Sequence, residues 1–86
     1  MRWRNFKFNN KYGYLNKVGS IAIIPKFDEA RNFFFEKAIV KNSGKYQLIN
    51  TKGIVSGVAN IDLIERDSSK KYVVTTLNGK KQIADL

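Results

Sequence analysis

The 86-residue sequence predicts an all-β domain, an antiparallel meander of about seven or eight short strands that forms a twisted sheet or a small barrel. Three observations lead to this prediction. Segments rich in Val, Ile, Thr, Tyr and Phe alternate with short turn signals. A hairpin-like pattern returns after 34 and again after 35 residues. No segment combines helical periodicity with capping residues.

Three β-hairpins are predicted at the repeated positions, because each copy has an extended run, a turn signal and a second run. The turn signals are Asn9-Asn10, Ser43-Gly44 and Asn78-Gly79. The second runs begin with Lys11-Tyr12, Lys45-Tyr46 and Lys80-Lys81. Two-residue hairpin turns need positive φ at both central residues, which Asn and Gly accept most readily.

A further turn follows each of the first two hairpins. Residues 16–19 lead into a strand over 20–24, and residues 50–53 lead into one over 54–58. Within the second run of the first hairpin, Gly13 marks a bulge or a close approach of another backbone.

The repeats indicate a single domain over residues 1–86. It contains two repeat-like units, 11–44 and 45–79, and two flanking half units, 1–10 and 80–86. Units of this size cannot bury an apolar face alone, so neighbouring units must cover one another.

The composition excludes many kinds of active site. The chain has no Cys and no His, which rules out disulfides, thiolate nucleophiles, imidazole bases and the usual zinc ligands within it. No glycine-rich phosphate loop occurs. We therefore expect a non-enzymatic protein that uses no cofactor and no metal. The sequence has no secretory signal and no segment of membrane-spanning length, so we expect a cytoplasmic protein without membrane contact.

The charge is concentrated at the two ends of the chain. Sixteen Lys and Arg against seven Asp and Glu give a net charge of +9. Residues 1–26 carry six bases and no acid, residues 27–69 are balanced, and residues 70–86 contribute +3. If the ends meet in the fold, they make one basic patch.

A series of spaced residues is shared with a known family. The first unit carries Lys11, Tyr12, Gly13, Tyr14, Leu15, Asn16, Gly19, Ile23, Pro25, Phe27, Asp28, Phe33, Ala38 and Val40. With these, residues 11–44 resemble the bacterial WG repeat, and residues 45–79 match more weakly. Tyr12 and Tyr46 replace the family Trp, and Glu36 replaces a later Gly. The resemblance implies a β-rich, non-catalytic module.

Two acidic residues occupy equivalent repeat positions, Asp28 and Asp62. We expect each carboxylate to accept a hydrogen bond from a nearby backbone N–H and to stabilise a turn. The spacing of the acids matches no calcium loop.

The main functional prediction concerns the run Phe33-Phe34-Phe35. Successive strand residues alternate between faces, so three consecutive rings cannot enter one core. Phe33 aligns with the family aromatic and should be buried, while Phe34 or Phe35 should be exposed. We predict a protein-interaction module, such as a small inhibitor or adaptor, with Phe34, Phe35 and Trp3 as contacts. The positive surface suits an acidic protein partner, and a homodimer is also compatible with the sequence.

The alternative prediction is a nucleic-acid-binding β module. The N-terminal third interleaves Lys and Arg with aromatic residues. Sheets that bind nucleic acid combine positive charge with aromatic rings on which nucleobases stack. The contacting residues would be Arg2, Arg4, Lys7, Lys80 and Lys81, with Trp3 as the stacking ring. A basic patch centred on Trp3 would favour nucleic acid, whereas an apolar patch at Phe34 and Phe35 away from the bases would favour a protein.

Overall fold

The computed structural model describes residues 3–56, 60–67 and 69–85, and these residues form nine β-strands and no helix. The strands are β1 (Arg4–Phe8), β2 (Lys11–Leu15), β3 (Ile21–Phe27), β4 (Glu29–Ala30), β5 (Ala38–Asn42), β6 (Lys45–Ile49), β7 (Leu63–Arg66), β8 (Tyr72–Leu77) and β9 (Lys80–Asp85).

The strands form three antiparallel sheets in chain order. The first sheet is β1-β2-β3, the second is β4-β5-β6 and the third is β7-β8-β9. The predicted all-β meander is confirmed, with nine described strands in place of the expected seven or eight. The described sheets do not close into a barrel, so of the two expected arrangements only the open meander is compatible with the structure.

The three predicted hairpins have the expected turns. Each turn places two residues with positive φ between directly paired strands, at φ 51° and 64° in the first hairpin, 53° and 80° in the second, and 52° and 78° in the third. These values are those of turns whose twist matches the right-handed twist of the flanking strands. The Asn and Gly residues therefore set the register of all three hairpins.

The second sheet is buried on both of its faces. Ala38, Val40 and Ile49 pack with the first sheet, in a cluster that also holds Tyr14, Ile23 and Phe27. Ile39 and Leu48 point the other way and pack with Ile61, Ile64 and Val73. Because strand residues alternate between faces, β5 and β6 contribute to two apolar cores at once. The sheets are thus arranged as layers, with the second sheet between the first and the third.

The turn after each of the first two hairpins is built in the same way. The Asn16 Oδ1 atom accepts the N–H groups of Val18 and Ser20 at 3.1 and 3.0 Å. Its counterpart Asn50 accepts the N–H groups of Lys52 and Ile54 at 2.8 and 3.1 Å. Asn16 leads into β3 as predicted. After Asn50, Val55 bridges Ile49, whereas residues 57–58 of the expected second strand lie outside the described residues.

Asp28 joins one hairpin to the next. Its carboxylate accepts hydrogen bonds from the Lys11 ammonium in the first hairpin and from the Ser43 N–H, at 2.8 Å, in the turn of the second. Asp62 repeats the arrangement with the Lys45 ammonium and with the Asn78 N–H at 3.0 Å. The expected hydrogen bond to a backbone N–H is present at both positions, and it comes from the following hairpin turn.

These hydrogen bonds favour the charged form of both carboxylates. The bond from Lys11, followed by the one from the Ser43 N–H, lowers the pKa of Asp28. The bond from Lys45, followed by the one from the Asn78 N–H, lowers the pKa of Asp62. Both acids thus have structural partners. Within the described residues, no group of three or more acids is placed to hold a metal ion.

Candidate functional site

The Phe33–Phe35 run does not form a regular strand but a tight turn. The Phe34 N–H donates to the Lys37 carbonyl at 2.7 Å, and the Lys37 N–H donates to the Phe34 carbonyl at 2.8 Å. The two residues between them, Phe35 and Glu36, have φ values of 46° and 62°. This is a two-residue turn of the same kind as the three hairpin turns, but it has neither Asn nor Gly. We call residues 34–37 the aromatic turn.

The backbone of the aromatic turn is strained. Left-handed φ brings Cβ close to the following carbonyl oxygen and costs about 1–2 kcal/mol for each ordinary residue. Bulky aromatic residues are uncommon in this conformation. Strain of this kind is concentrated at functional sites, where the surrounding structure maintains it. The aromatic turn therefore qualifies as a candidate site from its backbone alone.

The strained backbone presents the Phe35 ring to solvent, with 50% of the residue exposed. Its neighbours are packed inward. Phe33 is half-buried and meets Trp3 and Tyr14 edge-to-face, with ring centroids 5.1 and 4.8 Å apart. Phe34 is half-buried against the core between the second and third sheets. The expectation that one of the last two rings is exposed is confirmed, and the exposed ring is Phe35.

Basic side chains lie around the aromatic turn. The Arg66 guanidinium carbon lies 3.8 Å from the centroid of the Phe34 ring. The Lys71 ammonium lies 5.9 Å from the centroid of the Phe35 ring. The rings of the aromatic turn therefore lie beside basic side chains. The sequence had suggested that an apolar patch at Phe34 and Phe35 away from the bases would favour a protein partner, and the structure does not show that separation. The surface around the aromatic turn combines an exposed ring with two cations from the third sheet region.

Trp3 occupies a different place from the other predicted contact residues. It is half-buried and packs on Phe33, against the core between the first and second sheets. Its ring is one layer away from the core that holds Phe34. The structure thus brings Phe34 and Phe35 together in one turn and packs Trp3 against Phe33 in the other core.

The predicted nucleic-acid contacts are divided between two sheets. Arg4 and Lys7 lie on β1 of the first sheet, and Lys80 and Lys81 lie on β9 of the third. Among the described strands, β1 pairs with β2 and β9 pairs with β8, so the two basic ends are not adjacent strands of one sheet. Lys81 also lies 4.0 Å from the Glu65 carboxylate. Arg2 lies outside the described residues.

A cleft of about 280 Å³ brings together the two tyrosines that replace the family Trp. Tyr12 and Tyr46 line it, together with residues of β1, β4 and β5. The Lys7 ammonium lies 5.7 Å from the Tyr12 ring centroid. Arg31 and Lys41 lie 5.7 and 5.4 Å from the Tyr46 ring centroid, and Lys41 also approaches Glu29 at 3.7 Å. We call this the tyrosine cleft.

The tyrosine cleft and the turn geometry of Phe35 and Glu36 were not predicted from the sequence. The cleft depends on bringing residues of β1, β2, β4, β5 and β6 together, which only the fold does. The turn had one signal in the sequence, because Glu36 stands where the resembled family has Gly. A Gly at a repeated position indicates positive φ, so the residue replacing it could have been assigned the same backbone conformation.

Comparison with known proteins identifies one part of the chain. Residues 12–46 match the family model described as the WG containing repeat. The matched stretch runs from β2 through the aromatic turn to β6. No curated protein and no solved structure matches the chain. In the part of the chain that the structure describes, no helix is long and apolar enough to cross a membrane.

Proposed function

Since residues 12–46 form a WG containing repeat, we propose that this chain is a non-catalytic protein-interaction module that binds its partner through the aromatic turn. The observation that carries the proposal is the exposure of Phe35 on a strained backbone. A polar or glycine turn would fold more easily, so the exposed ring has a stability cost that partner binding would offset. A cytoplasmic location is part of the proposal, because the chain has no Cys for the disulfides that small secreted domains commonly use.

Phe35 has the properties of a contact anchor. Buried aromatic side chains at the centre of an interface contribute a large share of the binding free energy. A ring held by a tight turn also loses little conformational freedom when the partner binds. The backbone that carries the Phe35 ring is therefore preorganised, which favours insertion of the ring into an apolar pocket of the partner.

The charges around Phe35 favour an acidic partner. Arg66 and Lys71 lie close to the aromatic rings, and the chain as a whole has a net charge of +9. Opposite charge on a partner speeds association and orients the encounter. The proposed partner surface therefore has an apolar pocket with acidic residues around its rim. A small inhibitor or an adaptor would both use such a contact.

The test compares two variants that differ only in the ring. Glu36→Gly keeps Phe35 and relaxes the backbone of the turn. The double variant Phe35→Asn with Glu36→Gly creates an Asn-Gly turn, which suits the two-residue hairpin, and removes the ring. Both proteins are immobilised in equal amounts beside the wild type, exposed to extract of the source cells, and their captured proteins are quantified by mass spectrometry. Circular dichroism checks that all three are folded.

We expect a partner that both the wild type and Glu36→Gly capture. With the double variant, the amount of captured partner should fall at least about tenfold, because loss of an anchor costs about 2 kcal/mol or more. Isothermal titration of the purified partner should give the same order. Equal capture by both variants would show that Phe35 is not the anchor.

The tyrosine cleft favours a second candidate function, the binding of single-stranded nucleic acid. Two rings lie beside three cations, namely Lys7, Arg31 and Lys41. Nucleic-acid-binding sheets combine bases stacked on aromatic side chains with phosphates held by positive charge. The tyrosine cleft brings aromatic rings and positive charges together at one place. The basic side chains predicted from the sequence as nucleic-acid contacts lie on β1 and β9, which belong to different sheets.

Fluorescence anisotropy of a labelled oligothymidylate at about 50 mM salt tests this candidate, because phosphate-driven binding is strongest at low salt. Tyr46→Leu should weaken binding at least about fivefold, since one stacked base contributes about 1–3 kcal/mol. Tyr72→Leu, on the third sheet, is the matched control and should bind as the wild type does. Absence of binding at this salt concentration excludes the second function.

A further inference from the structure

Among the described residues, the two end sheets of the stack each have one face that no other sheet covers, and on the first of these faces the β3 bulge lies against Gly13. We define the outer face of the first sheet as the side of β1 and β2 that points away from the second sheet. The outer face of the third sheet is the side of β7, β8 and β9 that points away from the core containing Ile64 and Val73. Both faces carry apolar residues. When residues 34 or 35 positions apart are compared, each outer face corresponds to a face of the second sheet that a neighbouring sheet covers.

The outer face of the third sheet corresponds to the face of the second sheet that the third sheet covers. Val74 and Ile83 lie directly opposite each other on β8 and β9. Their counterparts 35 residues earlier are Ile39 and Leu48, which are buried between the second and third sheets. Ile83 is 67% exposed and Leu63, on the same outer face, is 46% exposed. The residues that form a core in the second sheet are thus matched by exposed apolar residues in the third.

The outer face of the first sheet shows the reverse correspondence. Phe6 and Leu15 have their counterparts 34 residues later in Val40 and Ile49, which are buried against the first sheet. Tyr14 points toward the second sheet, so Leu15, its neighbour on β2, points outward. Phe8, in register with Lys11 on the same outer face, is 62% exposed. The outer face of the first sheet therefore corresponds to the side of the second sheet that packs against the first sheet.

The two outer faces also differ in charge. Residues 3–27, which include the whole first sheet, contain bases but no acid, and Arg4 lies on its outer face in register with Leu15. The outer face of the third sheet carries two acids, Glu65 in register with Val74 and Asp85 in register with Tyr72, and one base, Lys81, which lies 4.0 Å from the Glu65 carboxylate. Contact between the two faces would therefore bring the Asp85 side of one copy to the face that carries Arg4 in the other.

We propose that a second copy of this chain docks head to tail, with the outer face of its first sheet on the outer face of the third sheet. The docked copy would take the position of the next layer and continue the interface that already joins consecutive sheets. Such a contact uses two different faces, so two copies leave one face of each kind open. Association therefore continues into open linear chains and does not stop at a dimer. The inference does not depend on the aromatic turn.

Sedimentation analysis over a concentration series, at about 0.15 M salt to limit repulsion between basic copies, tests the proposal. Phe8→Ser alters only the first outer face, and Ile83→Lys alters only the third. Both residues are more than half exposed, so both variants should fold. Val18→Ser, at a turn residue that is 76% exposed and belongs to neither face, is the matched control.

The wild type and Val18→Ser should show an average mass that rises with concentration beyond that of a dimer. Each face variant alone should associate at least tenfold more weakly. An equimolar mixture of the two face variants should give a dimer and nothing larger, because only one intact pair of faces remains.

Three results would overturn the proposal. The first is a wild type that remains a monomer at concentrations up to about 1 mM, the range of very weak association. One face variant could form a dimer by itself, which indicates a symmetric contact between identical faces. The mixture could also remain monomeric, which indicates that the two faces do not bind each other. The Phe35→Asn, Glu36→Gly variant should associate as the wild type does, and this separates the inference from the proposed partner site.

Discussion

Replacement of Gly13 by alanine should destabilise the fold, because the added methyl group would collide with the backbone of β3. The strand β3 bulges between the pairs Tyr12↔Phe27 and Tyr14↔Ile23, and its backbone lies against Gly13. An alanine Cβ would lie 2.4 Å from the Ile23 carbonyl oxygen and 2.7 Å from the Pro25 nitrogen. Both neighbours are backbone atoms, so no side chain can rotate away. Of the two alternatives predicted for Gly13, the close approach of another backbone is present at this glycine, and the bulge lies opposite it on β3.

The expected cost follows from these distances. Cβ contacts below 3.0 Å essentially do not occur, so β2 and β3 must separate by at least about 0.6 Å, from 2.4 to 3.0 Å. Overpacking of this kind costs about 1–3 kcal/mol. The loss of one or two backbone hydrogen bonds between the strands adds about 1 kcal/mol each. Gly13→Ala should therefore lower the free energy of unfolding by about 2–5 kcal/mol, a large part of the roughly 4–13 kcal/mol expected for 86 residues.

Urea denaturation followed by circular dichroism measures this loss. For a small domain the free energy of unfolding falls by about 1 kcal/mol for each molar increase in urea. The midpoint of Gly13→Ala should therefore be at least about 2 M lower than that of the wild type. Gln47→Ala is the matched control, because Gln47 occupies the equivalent position 34 residues later and already has a Cβ. A midpoint for Gly13→Ala within about 0.5 M of the wild type would refute the reasoning.

Three further predictions concern the turns and the carboxylates. Glu36→Gly should raise the free energy of unfolding by up to about 1 kcal/mol in urea denaturation, because relief of left-handed strain exceeds the added unfolded-state entropy; a lower urea midpoint would contradict this. Asn50→Ala should destabilise by about 1–2 kcal/mol through loss of two hydrogen bonds to backbone N–H groups, whereas Lys52→Ala should not. The lowered pKa values of Asp28 and Asp62 contribute stability above their unfolded pKa of about 3.9. This stability should disappear as pH falls below about 4, and a thermal-melting series on Asp28→Asn with Asp62→Asn should show a smaller loss in that range.

The local signals in the sequence were sufficient for the hairpins but not for the layers. Asn9-Asn10, Ser43-Gly44 and Asn78-Gly79 set turn type and register through neighbouring residues alone, and the structure confirms all three. Burial of β5 on both faces could not be read in the same way. Ala38, Ile39 and Val40 are consecutive apolar residues, and only the positions of the first and third sheets show that each face has its own core.

The candidate site shows the same division. Strand alternation means that three consecutive rings cannot share one core. This was enough to predict that one ring of the Phe33–Phe35 run is exposed. The choice of Phe35 depended on the hydrogen bonds between Phe34 and Lys37, which turn the backbone so that Phe35 lies at the tip. The positions of Arg66 and Lys71 beside the rings depended on packing of residues about 30 positions further along the chain.

By itself, the sequence determined that the protein is all-β, that it is built from repeated hairpins, and that it lacks the Cys and His side chains on which many active sites depend. These properties follow from residue type and from contacts between near neighbours. The tertiary structure decided that the sheets remain open layers, that the basic ends lie in different sheets, and that the aromatic turn and the tyrosine cleft exist as surfaces. Each of these depends on which face of a sheet meets which neighbour, and that choice is made by packing between residues far apart in the chain.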